Sequence, residues 1–132
     1  MAILGKAMAM ESSSSKYFQQ AEIWKEEYRG SPAEKQRLTD TLQHIPEDVS
    51  SLLDVGCGNG ILVNACSSQE ECSFDRIVGV DLSEEALKNV QTEKHLCPAT
   101  DLPFCNREFD IVTCLEVIEH LSIAVSYTHL TL

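Results

Sequence analysis

The stretch that decides the fold is Leu52-Leu53-Asp54-Val55-Gly56-Cys57-Gly58-Asn59-Gly60. Its beginning, Leu52 to Val55, is mostly apolar and predicts a short buried strand. Three glycines follow at alternate positions, and Ile61-Leu62-Val63-Asn64-Ala65-Cys66 then predicts the start of a helix. A strand, a glycine turn and a helix form the first crossover of a doubly wound sheet, in which ligands bind beyond the carboxyl ends of the strands.

The spacing of the glycines indicates which ligand this turn suits. Gly56-x-Gly58-x-Gly60 differs from the G-x-G-x-x-G pattern of dinucleotide sites. Asp54 precedes the first glycine by two residues, close to where a pyrophosphate would lie, and its carboxylate would repel a phosphate. The pattern therefore disfavours a nicotinamide-dependent oxidoreductase. It favours a ligand that carries an ammonium group and no phosphate, as S-adenosylmethionine (SAM) does.

With Asp54 included, the motif resembles D/E-x-G-x-G-x-G, the first motif of the class I SAM-dependent methyltransferases. The resemblance implies a Rossmann-like α/β fold whose seven strands have the order 3-2-1-4-5-7-6. It also implies a methyl transfer from SAM to an oxygen, nitrogen or carbon atom. The alternative is a binding module that keeps the SAM fold without catalysis, because a fold does not fix a function.

A second strand is predicted over residues 76–81, and it ends in an acidic residue. Asp81 lies about 20 residues after the glycines, the offset at which a carboxylate reaches a ribose diol. Ser83 is expected to cap the next helix, with Glu84 and Glu85 in its first turn. The simpler reading of Asp81 is a turn residue in front of that cap.

Two further strands are predicted, at His95-Leu96-Cys97 and at residues 109–114. Between them lies Asp101-Leu102-Pro103-Phe104. The resemblance implies that Asp101 accepts from the adenine amino group and that the Leu102 amide meets a ring nitrogen. A turn built on aspartate and proline is the alternative. In total, the resemblance implies nine cofactor-binding residues: Asp54, Gly56, Cys57, Gly58, Asp81, Leu82, Asp101, Leu102 and Leu115.

Two helices are predicted before the first strand. Tyr17, Ala21, Trp24 and Tyr28 recur at helical spacing, so this helix either packs on the domain or forms a lid over the ligand pocket. The second helix begins at Ser31-Pro32-Ala33-Glu34, which combines an N-cap serine, a first-turn proline and a capping-box glutamate. It runs towards Leu42, with Leu38 and Leu42 facing inward.

The segment after the fourth strand contains a possible metal site. On a helix, Glu116, Glu119 and His120 would share one face. The ubiquinone-pathway O-methyltransferases and the small-RNA 3′-end 2′-O-methyltransferases use this E-x-x-E-H arrangement with a metal. The three side chains could therefore hold a divalent cation such as Mg²⁺, which would lower the pKa of an attacking hydroxyl. Without a metal, the glutamates favour a helix start, and His120 could act as a general base.

Composition limits the partners and the compartment. With 10 basic and 21 acidic residues, the net charge is −11, which disfavours a nucleic-acid partner without excluding one. No apolar run approaches the ~20 residues of a membrane span. None of the six cysteines forms a C-x-x-C pair, so zinc is not expected, and reduced thiols suit the cytoplasm.

The expected partner is a small-molecule methyl acceptor, methylated on oxygen. A metal-dependent RNA 3′-end 2′-O-methyltransferase is the alternative.

The last nine residues, 124–132, are expected to be an artefact. Back-translated as GCT GTC TCT TAT ACA CAT CTG ACG CTG, they reproduce the start of a transposase-based sequencing adapter. The expected organisation is a flexible lead at 1–16, the cofactor-binding part of a methyltransferase domain at 17–123, and this tail. A C-terminally truncated fold with only the first four strands would leave the fourth strand as an open edge. Such a fragment is expected to fold poorly and to be inactive.

Overall fold

The computed structural model describes residues 2–5, 31–68 and 74–115, and within them an α/β fold built on a parallel sheet. Every pair of neighbouring strands is parallel, and their order is β1-β5-β2-β3-β4. The strands are β1 Ala2–Gly5, β2 Ser51–Val55, β3 Arg76–Asp81, β4 Glu93–Leu96 and β5 Ile111–Cys114. The helices are α1 Pro32–His44, α2 Ile61–Ser68 and α3 Glu84–Leu87. The Rossmann-like doubly wound fold expected from the sequence is thus confirmed.

Both faces of the sheet are covered, as its apolar strands predict. One face packs against α1 and α2, and its buried residues include Leu52, Val63, Cys66 and Ile111. The other face packs against the segment between β4 and β5, while α3 contributes Leu87 to the first face and Ala86 to this one. The buried residues of this second face are Leu53, Val55, Val78, Val80, Ala86, Ala99, Phe109, Val112 and Cys114. Because side chains alternate along a strand, Asp54, Gly79, Asp81 and Thr113 all belong to the face covered by α1 and α2.

The predicted helix caps are present. The Ser31 hydroxyl accepts a hydrogen bond from the Glu34 amide at 3.3 Å, and Pro32 opens α1. Ser83 caps α3 in the same way, accepting from the Ala86 amide at 3.2 Å. Leu38 and Leu42 lie against the core, as predicted. These features were readable because each depends on residues within one turn of the helix end.

Three of the four predicted strands have boundaries that differ from prediction, the smallest difference being that β2 begins at Ser51 rather than at Leu52. The third predicted strand, β4, runs from Glu93 to Leu96 rather than from His95 to Cys97. It starts earlier because Glu93 and Lys94 already pair with Val78 and Gly79 of β3. The fourth, β5, begins at Ile111 rather than at Phe109. Asp110 instead accepts from the amides of Ser50 and Ser51, which fastens the start of β5 to β2.

The structure also contains a strand that the sequence did not indicate. Ala2–Gly5 pairs in parallel with Ile111–Cys114, on the edge of β5 that was expected to be open. These residues lie inside the segment 1–16, for which a loose lead was expected. The physical reason is that a sheet edge offers unpaired backbone donors and acceptors, which even a very short apolar run can satisfy.

Among the residues described, no helix has the length and the apolar character needed to cross a membrane. The helix predicted around Tyr17 to Tyr28 and the tail at 124–132 lie outside the described residues.

Candidate functional site

The candidate site lies at the edge of the sheet where the parallel strands end. The segments that leave this edge are the glycine turn after β2, residues 82–83 after β3, residues 97–104 after β4, and Leu115 after β5. This is the edge at which doubly wound sheets bind their ligands. All the described residues of the expected cofactor site belong to these segments or to the last residues of β2 and β3.

The glycine turn is held tightly against β3. Gly56, Gly58 and Gly60 have φ angles of 72°, 58° and 84°, which disfavour residues with a side chain. The amides of Gly56 and Cys57 both donate to the Val80 carbonyl, at 2.8 and 2.9 Å. The chain therefore reverses directly over the end of β3, and α2 starts beyond it.

Asp81 connects this turn to the start of α3. Its Oδ2 accepts from the Gly58 amide at 2.8 Å, and its Oδ1 accepts from the Ser83 amide at 2.8 Å. The residue is only 2% exposed, so both bonds are shielded from water. A carboxylate has about four acceptor positions, so these bonds do not prevent it from also accepting from the hydroxyls of a diol.

Asp54 is a second buried carboxylate near Asp81. It lies between Gly79 of β3 and Thr113 of β5, and is 3% exposed. The Thr113 hydroxyl donates to Asp54 Oδ1 at 2.7 Å. Burial raises the pKa of Asp54 to about 7, the Thr113 hydrogen bond opposes this rise, and the charge of Asp81 adds to it. The carboxyl group can therefore change its charge near neutral pH.

The side chain of Cys57, which belongs to the glycine turn, packs against Gly79 of β3. A Cβ atom at Gly79 would lie 2.9 Å from the Cys57 Sγ, so the thiol occupies the space that a side chain on β3 would need. Burial and then the charges of Asp54 and Asp81 raise the pKa of Cys57 well above its ordinary value. The thiol thus stays protonated and acts as packing rather than as a nucleophile.

The segment after β4 brings Asp101 towards the same edge. The Cys97 amide donates to the Asp81 carbonyl at 3.1 Å, which fixes the segment beside the end of β3. Burial, followed by the charges of Asp101 and Asp81, raises the pKa of Cys97 to about 11, so both carboxylates lie within electrostatic reach of this thiol. Asp101 is exposed, while Leu102 packs partly against the core. Leu82 and Leu115 are half-buried.

The expected metal site lies outside the described residues. Glu116, Glu119 and His120 all fall in that part of the chain. In residues 31–68 and 74–115 no three acidic, histidine or cysteine side chains form a group that could hold a metal ion. The divalent cation and the catalytic role of His120 therefore stay predictions.

Two residues of the site were not singled out from the sequence. Thr113 contacts Asp54, and the Asn64 side chain joins α2 to the segment after α3, by donating to the Asn89 carbonyl and accepting from the Gln91 amide. The sequence could have drawn attention to Thr113, because it is the one polar residue in the otherwise apolar strand Ile111-Val112-Thr113-Cys114. Its partner could not be read, since it lies 59 positions away.

Comparison with known proteins places the chain among methyltransferases. The model of a family described as "Methyltransferase domain" matches residues 53–128. A small RNA 2′-O-methyltransferase of Arabidopsis thaliana is 36% identical over 107 residues, covering 68% of this chain and 11% of that protein. A ubiquinone biosynthesis O-methyltransferase of Hydrogenovibrio crunogenus is 35% identical over 89 residues, covering 60% of this chain and 35% of that enzyme. The chain thus spans about a third or less of these relatives' length.

Solved structures support the fold. The YcgJ protein of Bacillus subtilis has a TM-score of 0.59 at 22% identity, covering 72% of this chain and 44% of that one. DesVI of Streptomyces venezuelae has a TM-score of 0.55 at 20% identity, covering 92% of this chain and 51% of that one. At these identities the likeness concerns the architecture alone.

Proposed function

This chain belongs to the methyltransferase domain family, and on that premise we propose that it binds SAM and serves methyl transfer to an oxygen of a small molecule. The observation that carries the proposal is the pair of buried carboxylates, Asp54 and Asp81, on one face of the sheet beside a glycine turn without lysine or arginine. Such a site suits a ligand with an ammonium and a ribose diol. It does not suit a pyrophosphate, so a nicotinamide cofactor is disfavoured.

Each group of the site matches one part of SAM. We assign the ammonium of the methionine part to Asp54, and we place the methionine part against the backbone of the turn of Gly56, Cys57 and Gly58. Asp81 would accept from the ribose hydroxyls, and Asp101 with Leu102 would bind adenine. Leu82 and Leu115 would supply apolar contacts. When bound, SAM supplies a methyl group on a sulfonium, and the protein's contribution is to hold that methyl in line with the acceptor.

The nature of the acceptor is the less constrained part of the proposal. Similarity to a ubiquinone biosynthesis O-methyltransferase supports oxygen of a small molecule. Similarity to a small RNA 2′-O-methyltransferase supports an RNA hydroxyl as the second candidate. The net charge of −11 favours the small molecule, because RNA binding needs clustered positive charge.

A metal at Glu116, Glu119 and His120 would serve either acceptor by lowering the pKa of its hydroxyl. A chelator, followed by restoration with Mg²⁺, would test this on the acceptor reaction without altering SAM binding. Activity that is unchanged by the chelator would leave His120 as a general base, and binding without any turnover would favour the non-catalytic module.

Binding of SAM is the direct test, because every residue assigned to the cofactor lies in this chain and β1 covers the edge of β5 whose exposure was expected to impair folding. We expect SAM at about 100 times its dissociation constant to stabilise the native state by about 2.7 kcal/mol, through mass action, and thereby to raise Tm by several degrees. NAD at the same concentration should leave Tm unchanged. Asp54→Asn should weaken SAM binding at least tenfold, while Asp48→Asn, at an exposed turn, should not. A rise in Tm with NAD and none with SAM would contradict the proposal.

A further inference from the structure

We propose that Thr113 is a positioning residue for the cofactor: its hydroxyl holds the Asp54 carboxylate in the orientation and charge state that receive the ammonium of SAM. This inference rests on the proposed function, and it assigns a role to a residue on a strand that carries none of the expected cofactor contacts. It makes cofactor affinity depend on a single buried hydrogen bond between β2 and β5.

The geometry of the pair is specific. Thr113 is fully buried and lies opposite Asp54 in the register of the two strands. Its Oγ1 lies 2.7 Å from Asp54 Oδ1 and 3.4 Å from the Leu53 carbonyl. A hydroxyl has one proton, and the shorter bond to an acidic side chain is the stronger of the two. The carboxyl group of Asp54 is therefore fixed through Oδ1.

Packing does not explain why residue 113 has a hydroxyl group. The rest of β5 is apolar, and valine has nearly the same shape as threonine, so packing alone would favour valine. Burying a hydroxyl costs free energy unless it finds a partner. In the described structure that partner is Asp54. Each of these two buried polar side chains therefore provides a hydrogen-bond partner for the other across neighbouring strands.

The other groups near Asp54 do not favour its ionised form. Asp81 on β3 adds a negative charge that raises the pKa of Asp54. The thiol of Cys57 in the turn lies near the same carboxyl group, and that of Cys114, on the opposite face of β5, lies within its electrostatic reach. Burial first and the Asp54 charge second raise the pKa of Cys114 to about 12. Both thiols are therefore neutral. Of the named influences on Asp54, the hydrogen bond from Thr113 is the one that lowers its pKa.

The pKa of Asp54 is about 7, against 3.8 for an ordinary aspartate. As a result, the stability of the fold and the affinity for SAM should change with pH in opposite directions. Between these two pKa values the folded form holds a proton that the unfolded form has lost, so the Asp54 contribution to stability falls as pH rises. Binding of an ammonium requires the ionised carboxylate, so affinity for SAM rises as pH passes through about 7. Removing the Thr113 bond should move this rise to higher pH.

The experiment compares Thr113→Val, which keeps the shape, with Thr113→Ser, which keeps the hydroxyl. Dissociation constants for SAM are measured by calorimetry on the full chain from about pH 5.5 to about pH 9, a range that brackets both expected midpoints. Thr113→Val should move the midpoint up by about one unit, which lowers the ionised fraction and weakens binding at pH 7 by about fivefold. Thr113→Ser should stay within about threefold of the wild type, a change of well under one pKa unit. Asp54→Asn should remove the part of the pH dependence that comes from the carboxyl group. The part that comes from titration of the SAM amine stays, and it cancels in the comparison because it is common to all variants.

A measurement without ligand keeps the inference separate from the proposed function. The ¹³C shift of the Asp54 carboxyl group, followed against pH, should show a higher pKa in Thr113→Val than in the wild type. An unchanged carboxyl titration and an unchanged midpoint would overturn the role of Thr113. Failure of the wild type to bind SAM, with the carboxyl titration shifted as expected, would overturn the proposed function alone. If Thr113→Val does not fold, Thr113→Cys gives the same comparison with a weak donor.

Discussion

Replacing Asp81 with alanine is expected to destabilise the protein and to abolish measurable SAM binding. The change leaves the amides of Gly58 and Ser83 without their acceptor in a site that is shielded from water. Each unsatisfied buried group costs about 1–3 kcal/mol, so the free energy of unfolding should fall by about 2–5 kcal/mol. The loss of repulsion with Asp54 offsets only part of this cost. Denaturant unfolding measures the first effect, and calorimetry with SAM measures the second.

Two further variants show whether the loss of stability comes from the two hydrogen bonds that Asp81 accepts. Asp81→Asn keeps one acceptor oxygen and nearly the same shape, so it should lose about half as much stability as Asp81→Ala. Asp75→Ala removes an exposed carboxylate just before β3 and should change stability by less than about 0.5 kcal/mol. If Asp81→Ala were as stable as Asp75→Ala, the carboxylate would not hold the glycine turn to α3. Asp81 would then serve the ligand only.

Replacing Gly60 with alanine is the second large effect that we expect. Its φ of 84° strains any residue with a Cβ atom, and that atom would lie 2.9 Å from Val90 Cγ2. The positive φ costs about 1–2 kcal/mol. Overpacking a full core adds about 1–3 kcal/mol. The new atom would also lie 3.2 Å from the Asn64 side-chain amide, which joins α2 to the segment after α3. We expect a loss of about 2–4 kcal/mol in denaturant unfolding, with weaker SAM binding.

A double-mutant cycle separates the two causes. Val90→Ala removes the methyl group that Gly60→Ala would contact, so the double variant should be about 1 kcal/mol more stable than the sum of the single effects predicts. The backbone strain remains in both backgrounds. Strictly additive effects would show that the contact with Val90 contributes nothing and that strain explains the whole loss.

The local sequence determined a large part of the site. The turn at Gly56, Gly58 and Gly60 was readable because positive φ angles need glycine, whatever the rest of the chain does. The strand that ends in Asp81 was readable from its apolar run, and the cap at Ser83 from the two glutamates that follow it. In each case the residues that decide the structure are close neighbours in the chain.

Tertiary structure decided the remainder. That Asp81 binds the amide of Gly58, that Thr113 binds Asp54, and that Ala2–Gly5 pairs with β5 are consequences of which strands are neighbours in the sheet. The start of β4 at Glu93 likewise depends on its pairing with Val78 of the adjacent strand. Sequence patterns describe each strand by its own period, and they contain no information on its neighbours. The residues that we expect to bind the ligand, in the glycine turn and at Asp81, could therefore be predicted from the local sequence, while the hydrogen bond from Thr113 to Asp54 exists only because β2 and β5 are neighbours.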